Sequence, residues 1–135
     1  MSNKTSILLK AFNKHFFEFL DDIISIFPDK KEIATSKEYL ETLKTANPTA
    51  LIKIWYTYIF EPYKTEIGNG NIDFFLEKDY SQDISTIQNS EKILNIIDSS
   101  LREPLKQMDQ ENKEKCIKYI QLLSTVSEKY TELKM

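Results

Sequence analysis

The sequence predicts an all-α fold: a single-domain, irregular bundle of five or six helices with an aromatic-rich helix at its centre. Three observations point there. Only two glycines and four prolines occur in 135 residues, too little turn material for many hairpins, so few and long elements are favoured. Apolar residues recur at three- and four-residue spacing along most of the chain, the period of one helical face. Residues that start and stop helices fall between those periodic stretches.

The stretch 47–71, NPTALIKIWYTYIFEPYKTEIGNGN, sets the organisation. It holds the only tryptophan, both glycines and two of the four prolines. Its composition favours a strand, since β-branched and aromatic side chains suit a pleated surface. Its punctuation favours a helix. Asn47 is suited to accept from the orphan amides of a first turn, and Pro48 suits the first helical position, where a missing N–H costs nothing. Ile52, Trp55, Tyr56, Ile59, Phe60 and Tyr63 then share one helical face, with Lys53, Thr57, Glu61 and Lys64 opposite. Pro62 should kink or divide this helix. Gly68 and Gly70 can adopt the left-handed backbone that closes it.

Before this run, residues 4–26 read as a first long helix. Leu8, Phe12, Phe16, Phe19, Ile23 and Phe27 form its stripe, and Asn13, Lys14, Glu18, Asp21 and Ser25 are expected to face water. Phe17 and Ile24 lie off the stripe, which implies packing against a further element or a partner surface. Asp29 is expected to cap a second, more polar region over 30–46, with Glu32 at the capping-box position. Ile33, Leu40, Leu43 and Ala46 are its inner side, and Thr35-Ser36 is read as a division within it.

After the central run, residues 71–80 suggest a short helix and 81–89 a loop. A helix over 90–108 is expected to bend or split at Pro104. Asp109 should cap a last helix over 110–133, with Cys116, Tyr119, Ile120, Leu123, Val126, Tyr130 and Leu133 inward. Its near-heptad spacing is too short for a coiled coil; an antiparallel hairpin of 90–108 against 110–133 explains it more simply.

Hydrophobic residues make up 41% of the chain and charged residues 29%, ordinary for a globular domain. Net charge is −3, with one arginine (Arg102) among the bases. Nucleic-acid binders concentrate basic residues and use arginine forks, so this balance argues against nucleic acid as the main partner. A lysine face gathering Lys10, Lys14, Lys30, Lys31 and Lys37 would be the feature to reverse that reading. No apolar run reaches the roughly 20 residues of a membrane span. The N-terminal stretch 6–27 is interrupted by charge and lacks a small-residue cleavage site, unlike a signal peptide. The lone Cys116 fits a reducing, intracellular compartment.

Reaction chemistry finds little support. One histidine and one cysteine, far apart in sequence, cannot by themselves build a zinc site. Asp73, Glu77, Asp79 and Asp83 lack the alternation and central glycine of a calcium loop. Gly68-Asn69-Gly70 has neither the third glycine nor the lysine of a phosphate loop. His15 and Cys116 would need to meet in space, with an orienting third group, to form a nucleophile and base; His15 reads instead as a structural, half-buried side chain. Tyr56, Tyr58, Tyr63 and Tyr80 would stack bases only beside a basic groove; core packing with hydroxyls at the rim fits them better. No catalytic residue, cofactor or metal is assigned. Phe17, Ile24, Tyr58, Pro62, Tyr63 and Tyr80 remain as candidates for an interaction surface.

The stretches SILLKAFNKHFFEFLDDIISIFPDKKEI, ANPTALIKIWYTYIFEPY, IGNGNIDFFLEKDYS and ENKEKCIKYIQLLSTVS together resemble a group of small uncharacterised proteins encoded by large DNA viruses of algae and amoebae. The likeness covers nearly the whole chain and lies in overall pattern, with no catalytic motif. It implies a viral protein made in the host cytoplasm or carried in the virion, and brings no activity or site residue with it. The functional expectation is a non-enzymatic protein–protein interaction or structural protein that binds a partner or itself. The alternative is an accessory factor in viral transcription or replication with weak nucleic-acid contact.

Overall fold

The computed structural model describes residues 2–70 and 103–134, and among them there is no strand. Helix α1 (Ser2–Ile26) is followed by α2 (Lys31–Ala46), then α3 (Ala50–Ile54), a π-helical stretch (Trp55–Phe60) and α4 (Glu61–Gly68). After residue 102 come the short α5 (Glu103–Lys106) and the long α6 (Gln110–Lys134). The expected helix over 71–80, the loop over 81–89, Tyr80, the acidic run from Asp73 to Asp83 and most of the 90–108 helix lie outside the described residues.

The stripe of α1 is inward, as its spacing requires: Phe12, Phe16, Phe19 and Ile23 are buried, Leu20 with them, while Leu8 and Phe27 are half-buried. Asn13 departs from expectation. It is buried, and its side-chain amide donates to the Pro48 carbonyl at 3.1 Å, fixing α1 to the turn that precedes α3. Its Oδ1 has no partner. Polar character alone suggests water; the buried amide instead finds its acceptor in the Pro48 carbonyl.

Phe27 to Lys30 reverse the chain through the Lys30 N–H to Phe27 carbonyl bond of 3.0 Å. The N-cap of α2 is Lys30 and no side chain caps it, so the expected Asp29–Glu32 box does not form. Helix α2 is also continuous through Thr35-Ser36. The Thr35 hydroxyl donates back to the Lys31 carbonyl at 3.3 Å, one turn earlier in the same helix. Ile33 and Leu40 are its buried positions, and Ala46 is exposed.

Asn47 does organise the next start. Its Oδ1 accepts from the Thr49 N–H at 3.3 Å and from the Thr49 hydroxyl at 2.9 Å, an Asx turn that delays the helix to Ala50. The central run is then helical, but not uniformly α. A π-helical turn holds one residue more than an α turn, and here it comes immediately before Pro62. Proline lacks an N–H, and its ring crowds the carbonyl four residues back, here that of Tyr58. Widening over Trp55–Phe60 relieves that crowding, and the remaining distortion falls on Tyr63, at φ −127° and ψ 24°. The kink predicted from Pro62 is present; the register shift before it is not evident from spacing. Helix α4 closes as expected: the Gly70 N–H donates to the Ile67 carbonyl at 3.0 Å with φ of 73°.

Asp109 caps α6 through a 2.9 Å bond from the Asn112 N–H to its Oδ1, as the sequence predicts. Pro104, Leu105 and Met108 are buried just before it. Helix α6 runs antiparallel to α1: Tyr119 meets Phe19 and Asp22, while Lys129 to Leu133 lie near Lys4 to Leu8. Trp55 stands between them, wholly buried, with Phe12 and Phe16 edge-on to its ring at 6.0 and 6.3 Å. Its indole N–H donates to the buried Ser124 hydroxyl at 3.0 Å. The aromatic helix is therefore packed against both long helices, and the core is built around its one tryptophan.

Candidate functional site

Of the five described residues singled out for an interaction surface, three are interior. Phe17, Tyr58 and Tyr63 are buried in the core, in keeping with their reading as core packing and against a place on an open surface. Phe17 packs edge-on against Phe16 at 5.4 Å, and the Lys44 ammonium lies 5.2 Å from its ring centroid. Its off-stripe position reflects packing within the chain. Ile24 is half-buried against the core, and Pro62 is exposed. The tyrosines of the central run thus form no stacking platform.

His15 is half-buried, and its Nδ1 lies 2.9 Å from Glu18 Oε1, one turn along the same helix. Cys116 is buried with its Sγ 3.5 Å from Met108 Sδ. Burial first, and then the charge of Asp22, push its thiol up to about 12. A thiol held protonated is not a nucleophile. Tyr119, which donates to Asp22 Oδ2 at 2.8 Å, is likewise pushed to about 12, chiefly by burial. Among the described residues, no three His, Cys, Asp or Glu side chains come together as metal ligands would.

The lysines are dispersed in their roles. Lys37 reaches Asp21 Oδ1 at 2.6 Å, and Lys30 donates to Gln107 Oε1 at 2.7 Å while lying over the Phe27 ring. Both therefore contribute less free positive charge than a phosphate-binding face needs.

Two concavities stand out among the described residues. One, of about 640 Å³, lies between α4 and α6. Phe60 and Ile67 contribute apolar wall, and Lys64, Thr65, Thr125 and Glu128 supply polar groups. Gln121 Nε2 donates to the Ile67 carbonyl at 2.9 Å beside it, and a Cβ at Gly68 would meet nothing within 4 Å.

The second, of about 360 Å³, lies between the start of α1 and the end of α6, lined by Lys4, Ile7, Leu8, Lys129, Glu132 and Leu133. Ile7 is 66% exposed and Leu133 50%, the two most exposed large apolar side chains among the described residues. Leu133 was expected inward with the α6 stripe; Tyr130, one turn earlier, is the last of that stripe to be buried. Ile7 is inconspicuous in the sequence because it lies beside the α1 stripe. The signal was there, in an isoleucine followed by two leucines where one inward position is available per turn.

No helix among the described residues is long and apolar enough to cross a membrane. No protein-family model matches the chain, and neither a curated protein nor a solved structure matches it.

Proposed function

We propose that this protein works by binding protein rather than by catalysis, as an interaction or structural component. The observation that carries the reading is the groove at Ile7 and Leu133. Two large apolar side chains from different helices stand open to water around a half-buried Leu8, with charged residues at the rim. An apolar centre ringed by polar groups is the anatomy of a protein-binding patch. The aromatic side chains among the described residues, by contrast, are buried or half-buried against the core. The state of Cys116, buried and protonated, supports the same reading.

The resemblance to proteins of large DNA viruses suggests where such a component would act, in the virion or on a host factor in the cytoplasm. Weak nucleic-acid contact has less support, since Lys30 and Lys37 are engaged by Gln107 and Asp21. The test is affinity purification from the expressing cell, with the mass of the intact complex measured. A stoichiometric protein complex, lost in Ile7→Asp and Leu133→Asp, is the expected result. A protein recovered alone, with both variants indistinguishable from it, would overturn the proposal.

A further inference from the structure

We infer that the partner of this groove is a second copy of the chain, held in a weak two-fold contact between the C-terminal turns of α6; this rests on the protein-binding reading above. The argument comes from the signs and spacing of the rim charges. Lys129 and Glu132 are exposed, three residues apart on one face of α6, and both line the groove. Two α6 helices laid antiparallel, with the two-fold axis between positions 130 and 131, bring Lys129 of each copy opposite Glu132 of the other. The pair forms twice by symmetry, as an isologous interface requires. A parallel alignment would instead set lysine on lysine and glutamate on glutamate, a repulsion that disfavours it.

The same antiparallel placement carries Leu133 of each copy back across the partner's groove, toward the exposed Ile7. Lys4 adds a further cation at the rim. The apolar area is small. Two exposed side chains cover much less than the roughly 800 Å² per partner of a standard interface. The association is therefore weak and concentration-dependent, and the chain does not need it to fold.

Sedimentation velocity across a concentration series, extended to roughly millimolar protein, tests this. The wild type should shift reversibly from monomer toward dimer. Leu133→Asp should abolish the shift, and because Leu133 is exposed the variant should fold normally. Lys129→Glu should weaken the dimer about tenfold, and Lys129→Glu with Glu132→Lys should restore it by exchanging both signs. A wild type that stays monomeric throughout, or a charge exchange that fails to restore association, would overturn the inference. If the wild type stays monomeric yet the complex from cells contains a different protein lost in Ile7→Asp, only the second-copy assignment fails. If neither association is found, the protein-binding reading fails as well.

Discussion

The indole N–H of Trp55 donates to the Ser124 hydroxyl across 3.0 Å in the core, joining the aromatic central run to α6. Ser124 is held in turn within its own helix, where the Ser127 hydroxyl donates to the Ser124 carbonyl at 2.8 Å. A tryptophan gives its full area to a core only when its N–H finds an acceptor. Ser124, in an otherwise apolar stripe, provides that acceptor.

Truncation of this pair should be costly in distinguishable ways. Trp55→Ala removes the central ring and should destabilise by about 3–5 kcal/mol. Ser124→Ala keeps the ring but leaves a buried N–H unpaired, for a loss of about 1–3 kcal/mol. In the Trp55→Phe background, the same serine substitution should cost clearly less, because no donor is then stranded. Urea unfolding of the four proteins measures this; equal serine costs in both backgrounds would show the bond contributes nothing.

Asn13 should behave in the opposite manner. Its amide bonds the Pro48 carbonyl, but Pro48 is exposed and water can replace that donor, while Oδ1 is buried with no partner. Asn13→Leu therefore loses one hydrogen bond and removes one unpaired acceptor, and stability should change by no more than about 1 kcal/mol. A loss above about 2 kcal/mol would indicate that Oδ1 has a partner, such as an ordered water.

Alkaline pH should weaken the fold in a defined window. Cys116 and Tyr119 are acids raised from 9.0 and 10.0 to about 12, each chiefly by burial. Below pH 9 both are protonated in folded and unfolded chains, so the stability they confer is fully present. Above it the unfolded chain gives up protons that the folded chain retains, and stability falls as pH rises toward about 12. Urea midpoints should be flat from pH 7 to 8.5 and decline beyond, with a shallower decline in Cys116→Ala. The native thiol should also resist a disulfide reagent at pH 8 and react once the chain is unfolded.

The cap of α6 offers a local test. Asp109→Ala removes the acceptor for the Asn112 N–H and should cost about 1 kcal/mol. Asp29→Ala, at a position where no side-chain cap forms, should cost much less.

These contrasts show which features the sequence made legible. The α1 stripe, the Asp109 cap, the kink at Pro62 and the closing turn at Gly70 all follow from local rules of spacing and backbone conformation. Asn13 and Asp29 are not legible because each depends on its surroundings, and Thr35 because its hydroxyl bonds back within its own helix. A polar side chain can be buried where a distant carbonyl accepts from it, and a good capping residue stays idle when the preceding turn already sets the helix start. The π-helical stretch was hidden because one extra residue in a turn leaves the apolar pattern nearly intact. For the interaction surface the difficulty was greater. Phe17 and Tyr58 look available when only one inward face is assumed for each helix, yet both are buried off that face. Ile7 and Leu133 look ordinary in sequence, and only the antiparallel meeting of α1 and α6 sets them side by side.

The central claim is that the aromatic run is scaffold, leaving recognition to the outer groove. Trp55 is the only tryptophan, so its fluorescence reports on that claim without labelling. Acrylamide quenching of the native protein should be slight, with emission well to the blue of the urea-unfolded chain, as expected for a side chain at 0% exposure. Emission and quenching close to those of the unfolded chain would place Trp55 in water and contradict the account.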